Sequence, residues 1–193
     1  MQTDYLDKFW TIIQNETAGI TGQDIMVLLA VEIMALLALG IAFRRKGKVT
    51  ARKILYVLAV LADIYVLFLL TVFRREPGSR EGIVHLNINL GFGLRTGHPS
   101  WTMAFSLLNI FLFVPFGYLI YLLFRKQNRF LGVLVTVFIG LLMSLAVECS
   151  QFLTGRGMFE VTDLVTNTIG AFVGAVIADL LYNTIFMNLR KRQ

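Results

Sequence analysis

Glu148 and Gln151 lie three residues apart in an otherwise apolar run, so a helix puts both on one face. Asp163 and Asn167 are spaced by about one turn further on, and Arg156 sits in the short link between the two pairs. Asn109 stands in an earlier apolar run, followed by Pro115 and Gly117. Two carboxylates and a guanidinium support two chemistries. In one, Glu148 is a general base, Asp163 a second acid, and Arg156 steadies a developing anion. In the other, the same groups, with Arg74 and Arg75 nearby, bind a phosphate or carboxylate head without reacting, a task suited to the planar guanidinium fork. No nucleophile motif accompanies them. Cys149 is the one cysteine, and His85 and His98 are the two histidines, so neither a metal nor a cofactor is expected.

Each of these residues also has a plainer use. Asp163 is a good helix N-cap, and Asn109 and Asn167 can hydrogen-bond between helices. Glu148 can form an ion pair with Arg156, Arg74 or Arg75. Gly170 and Gly174 have the Gly-x-x-x-Gly spacing of close helix packing. Cys149 packs as a small apolar residue. Glu32 and Asp63 lack polar neighbours in their runs and read as peripheral.

The elements that position these groups are membrane spans. Of the 193 residues, 56% are hydrophobic and 16% charged, against about 45–50% and 25% in a soluble domain. Mean hydropathy is +0.70. A helix crosses the hydrocarbon core in about 20 residues, and five stretches have that length: Ile25–Phe43, Ile54–Phe73, Met103–Phe124, Phe130–Leu153 and Leu164–Phe186. Such runs read as helices, because lipid offers backbone amides no partner outside the segment. The fold expected is an all-α bundle of about five transmembrane helices. Residues 25–73 hold the first two helices and 103–186 the other three, with a tail at 187–193.

The net charge of +6 does not point to nucleic acid, because the basic residues flank apolar runs. Arg44–Lys53, Arg125–Arg129 and Arg190–Arg192 would share one side, and their lysines and arginines outnumber those of the other side two to one. The excess marks the cytoplasm, which puts the N-terminus outside and the C-terminus inside. Residues 1–24 lack the basic start of a cleaved signal. They read as an extracytoplasmic segment, either an interfacial helix or a frayed tail. Given this topology, Asn109, Glu148 and Asn167 lie about 10, 7 and 5 Å below the outer ends of their helices. They can meet at one depth, and ionisable groups at such depth usually face a bundle interior or a wet cavity.

Residues 74–102 form the long outer loop. Its charged, turn-rich start gives way to Val84, Leu86, Ile88, Leu90, Phe92 and Leu94 alternating with polar residues and glycine. A period of two predicts a half-buried extended segment over or between the helix tops.

Together these pieces resemble the VanZ-like family of bacterial membrane proteins. The resemblance rests on Asn109-Ile110-Phe111-Leu112-Phe113-Val114-Pro115-Phe116-Gly117, then Glu148-Cys149-Ser150-Gln151-Phe152 and Gly155-Arg156. It continues through Asp163-Leu164-Val165-Thr166-Asn167 to Gly170 and Gly174. It spans roughly Arg74 to Leu181. Members often carry Asn-Leu-x-Pro-Phe in the outer loop, whereas Asn89-Leu90-Gly91-Phe92 here lacks the proline. The resemblance implies a multi-pass protein of the bacterial cytoplasmic membrane, associated with resistance to lipid-tailed glycopeptides such as teicoplanin. Two functions follow as expectations. One is a binding protein that takes a membrane lipid, a lipoglycopeptide antibiotic or a lipid-linked wall precursor at the polar cluster Asn109, Glu148, Gln151, Arg156, Asp163, Asn167, Arg74 and Arg75. The other is an intramembrane enzyme acting on such a head group. A transporter is disfavoured, since the spans show no inverted repeat.

Overall fold

Helices in lipid turn apolar side chains outward and keep small or polar ones for each other, and the fourth predicted span follows that rule. Its buried residues include Gly132, Thr136, Gly140, Ser144 and Glu148 at intervals of four, while Phe130, Phe138 and Leu153 are exposed. A computed structural model describes residues 49–78, 82–91, 101–124 and 128–190, with side chains over 55–78, 82–91, 102–124 and 128–182.

In chain order these hold α1 (Val49–Phe68), a π-helical turn (Leu69–Phe73), β1 (Val84–His85), α2 (Trp101–Phe124), α3 (Arg129–Leu153), β2 (Phe159–Glu160) and α4 (Val161–Arg190). Leu55–Phe73, Thr102–Phe124, Arg129–Leu153 and Val161–Tyr182 are each long and apolar enough to cross a membrane. The expected span Ile25–Phe43 and the segment 1–24 fall outside the described residues. So do the loop tip at 79–81 and residues 92–100. Several boundaries differ from the sequence reading, among them the start of α1 at Val49, five residues before Ile54. The last helix begins at Val161, three residues before Leu164, and runs on to Arg190. Pro115 lies inside α2, which is continuous from Trp101 to Phe124, and its ring is on the exposed side.

The bundle is built around α2 and α4, which run in the same direction. A Cβ at Gly170 would lie 2.3 Å from the Ile110 carbonyl oxygen, and one at Gly174 would lie 2.1 Å from that of Val114. The approach is reciprocal, since a Cβ at Gly117 would lie 2.0 Å from the Ala171 oxygen. Ala171 also meets α3, where a Cβ at Gly140 would come within 2.5 Å of its own. Phe113 and Phe116 pack edge to face at 5.9 Å, in a core with Leu67 of α1 and Tyr121.

At the end of the bundle nearest residues 124–129, Asn128 caps α3 through its Oδ1, which accepts from Phe130 N at 2.9 Å. Arg129 grips Asp179 of α4 with Nε at 3.0 and 3.1 Å from the two carboxylate oxygens, and Tyr121 donates to the same group. This clamp ties α2, α3 and α4 together opposite the site.

Candidate ligand-binding site

At the other end α3 stops in a Schellman turn. Arg156 N donates to Gln151 O at 2.9 Å and Gly155 N to Phe152 O at 3.2 Å. Gly155 takes φ of 62°, a left-handed geometry that side chains resist. This is a physical reason for Gly155-Arg156 after Gln151. The chain then runs into β2, whose two residues pair in parallel with β1: Val84 opposite Phe159 and His85 opposite Glu160. Phe159 N donates to Ile83 O at 3.0 Å. On its other edge, Glu160 N donates to Glu148 Oε2 at 2.9 Å.

Glu148 is therefore an anchor. Only 1% of it is exposed, and its carboxylate fixes the strand that leads into α4. The β1 segment is held further along by Thr162, whose Oγ1 accepts from Asn89 N at 3.0 Å and donates to Asn87 O at 3.3 Å. His85 Nδ1 lies 3.5 Å from Glu160 Oε1.

The expected strand is thus present as an extended segment, but residues 82–89 are exposed on both sides rather than half-buried. His85, Asn87 and Asn89 point to a cavity, while Val84, Leu86 and Ile88 are exposed, Leu86 by 70%. In a lipid setting the apolar side has a solvent of its own, so alternation alone does not say which side is covered.

The π-helical turn leads into Arg75, which lines the cavity. The turn's wider winding, closed by Arg74 N on Leu69 O at 3.2 Å, leaves two carbonyls to be reached from α3. Gln151 Nε2 donates to Thr71 O at 3.1 Å, and Arg156 Nη1 donates to Phe73 O at 3.0 Å. The Arg156 guanidinium also lies 6.0 Å from the centroid of the Phe73 ring. It is turned away from Glu148, so the expected Glu148–Arg156 pairing does not form. Arg75 is the guanidinium whose charge is felt there, without a direct ion pair among the described residues. Its charge acts on both Glu148 and Asp163, and it packs against Gly157, where a Cβ would lie 2.7 Å from its Nη1.

Asp163 stands in the first turn of α4 rather than at its cap, because the helix starts two residues earlier. The Asn109 side chain of α2 lies beside its carboxylate. Asn167 serves between helices, donating from Nδ2 to Ser144 Oγ at 2.9 Å. The cavity enclosed by these elements has a volume of about 350 Å³. Arg75, His85, Asn87, Asn89, Glu160 and Asp163 give it polar walls, and Phe105 and Met158 give it an apolar flank.

The VanZ/LLP1 family profile matches residues 26–182. The chain belongs to the VanZ/LLP1 family. Protein VanZ of Enterococcus faecium is 36% identical over 66 residues, which are 34% of this chain and 38% of that protein. The chain therefore matches well under half of that relative's length. No solved structure matches.

In this VanZ/LLP1 protein, Asp163 and Arg75 line the cavity. Glu148 and Gln151 support it from behind, and Asn109 reaches it through Asp163. Asn167, Arg156 and Arg74 hold helices and turns. Sequence reasoning missed Glu160, His85, Ser106 and Thr162. For His85 the alternating pattern carried a signal, since it shares one side of the extended segment with Asn87 and Asn89. For Ser106 there was none, because a lone serine in an apolar span reads as packing.

Proposed function

We propose that this VanZ/LLP1 protein binds the polar head of a membrane amphiphile from the outer face of the bacterial cytoplasmic membrane, and that this binding serves resistance to lipid-tailed glycopeptides. The observation that carries the reading is the 350 Å³ cavity with charged and amide walls at one end of an otherwise apolar bundle. A polar recess at that height suits a ligand whose head is solvated and whose tail stays in lipid. Binding is favoured over catalysis because Glu148, the expected base, is occupied with a backbone N–H and does not line the cavity. The ligands in view are a lipoglycopeptide antibiotic and a lipid-linked wall precursor.

Two experiments test it. In a Cys149→Ala background, an impermeant thiol reagent applied to intact cells should label Gly78→Cys and spare Gly47→Cys. The reverse pattern would place the cavity in the cytoplasm. Arg75→Gln, at equal protein level, should reduce the inhibitory concentration of teicoplanin to that of cells lacking the protein, since the cavity loses its guanidinium. Full resistance in that variant would remove the cavity from the function.

A further inference from the structure

Charges of both signs line the cavity. Asp163 and Glu160 stand in its wall with Arg75 and His85, His85 Nδ1 lying 3.5 Å from Glu160 Oε1, and the Glu148 carboxylate lies close behind. Arg156 is turned elsewhere, held on the Phe73 carbonyl and ring. Carboxylates and a guanidinium facing one recess suit a head group that carries both signs.

A second observation is independent of charge. Ser106 is 2% exposed and lines the cavity, yet its Oγ has no hydrogen-bond partner among the described residues. Buried hydroxyls in folded proteins are almost always satisfied, so this one is set to meet a group that enters the cavity. Arg75 is in a similar position. Among the described residues its guanidinium has Glu148 and Asp163 as electrostatic neighbours but makes no side-chain hydrogen bond, which leaves its fork for an anion.

We propose that the cavity takes a zwitterionic head group, with a primary ammonium seated on Asp163 and Ser106 and its neighbouring anion on Arg75. This rests on the head-group reading above and names its ligand class. A primary ammonium brings three N–H donors, and the Asp163 carboxylate, the Ser106 hydroxyl and the side-chain oxygens of Asn87 and Asn89 are acceptors. A trimethylated head has no donor to offer them. A purely anionic head would satisfy Arg75 and leave Asp163 and Ser106 without a donor. Phe105 and Met158 would cover the carbon atoms joining the two charges.

The test is a thermal shift titration of the full-length protein in an uncharged maltoside detergent. The probes are short-chain phosphatidylethanolamine, phosphatidylcholine and phosphatidylglycerol, together with soluble phosphoethanolamine. Phosphatidylethanolamine should raise the melting temperature at lower concentration than either other lipid. Phosphoethanolamine acting equally well would name a free head group as the source, and weaker action would name the lipid. Ser106→Ala and Asp163→Asn should each weaken the ethanolamine response by about tenfold or more. Ser106→Ala removes only a hydroxyl, so it keeps the test usable if Asp163→Asn fails to fold. Equal or better response to phosphatidylglycerol would overturn the amine while leaving head-group binding in place. No response to any probe would overturn both.

Discussion

Gly117→Val is expected to leave little folded protein to purify, although the change lies far from any charged group. A Cβ at this position would stand 2.0 Å from the Ala171 carbonyl oxygen and 2.6 Å from its Cα. These are backbone atoms, so no rotamer change relieves the clash. Nor can α4 retreat freely, because Ala171 is already pressed against Gly140 of α3. Replacing a helix-interior glycine by alanine ordinarily stabilises by about 1 kcal/mol through propensity. Overpacking at about 3 kcal/mol or more outweighs that here, so even Gly117→Ala should melt lower than the parent. Yield of monodisperse protein in detergent and its melting temperature measure the effect. A Gly117→Val protein melting like the parent would show that α2 and α4 do not touch at this point.

Glu148 carries the second large effect, and the replacement chosen decides what is lost. Glu148→Ala empties a fully buried site and leaves Glu160 N–H without its acceptor. The orphaned donor costs about 1–3 kcal/mol, and the void adds about 2 kcal/mol or more. Stability should fall by that sum and the cavity wall should loosen. Glu148→Gln keeps a side-chain oxygen for the Glu160 N–H and should melt within a few degrees of the parent. It also leaves Asp163 as the remaining counter-charge to Arg75, so no charge is stranded. Melting temperature with head-group affinity separates the roles. A stable Glu148→Ala protein would show that the strand is held by β1 alone.

The four spans among the described residues were legible because a 20-residue apolar run has few alternatives to a membrane helix. Glu148, Gln151 and Asp163 were legible for a related reason. A polar group in such a run is costly enough to need a purpose. Their partners were hidden, because pairing depends on where backbone turns point. Arg156 and Arg75 look equivalent in one dimension. The Schellman turn after Leu153 and the π-helical turn before Arg74 send the first to Phe73 and the second to the carboxylates. Spacing also could not reveal that Asp163 sits inside the first turn, since that rests on the two-residue strand before it. The exposure of the apolar side of the β1 segment has the same origin, as hydrophobic alternation assumes that the open side faces water.

The parallel pairing of β1 with β2 also sets an order of events during synthesis. Asn87 and Thr162 are 75 residues apart in the chain, an interval of roughly 4–15 s at ordinary ribosomal speed of about 5–20 residues per second. For that time α2 and α3 can enter the bilayer while the β1 segment waits without its partner strand. The recess for the head group closes only when the last helix has been delivered. Chains halted before Phe159 would insert and persist as membrane protein, yet hold nothing. On the proposed reading, head-group binding would report completed biogenesis, and protein level by itself would not.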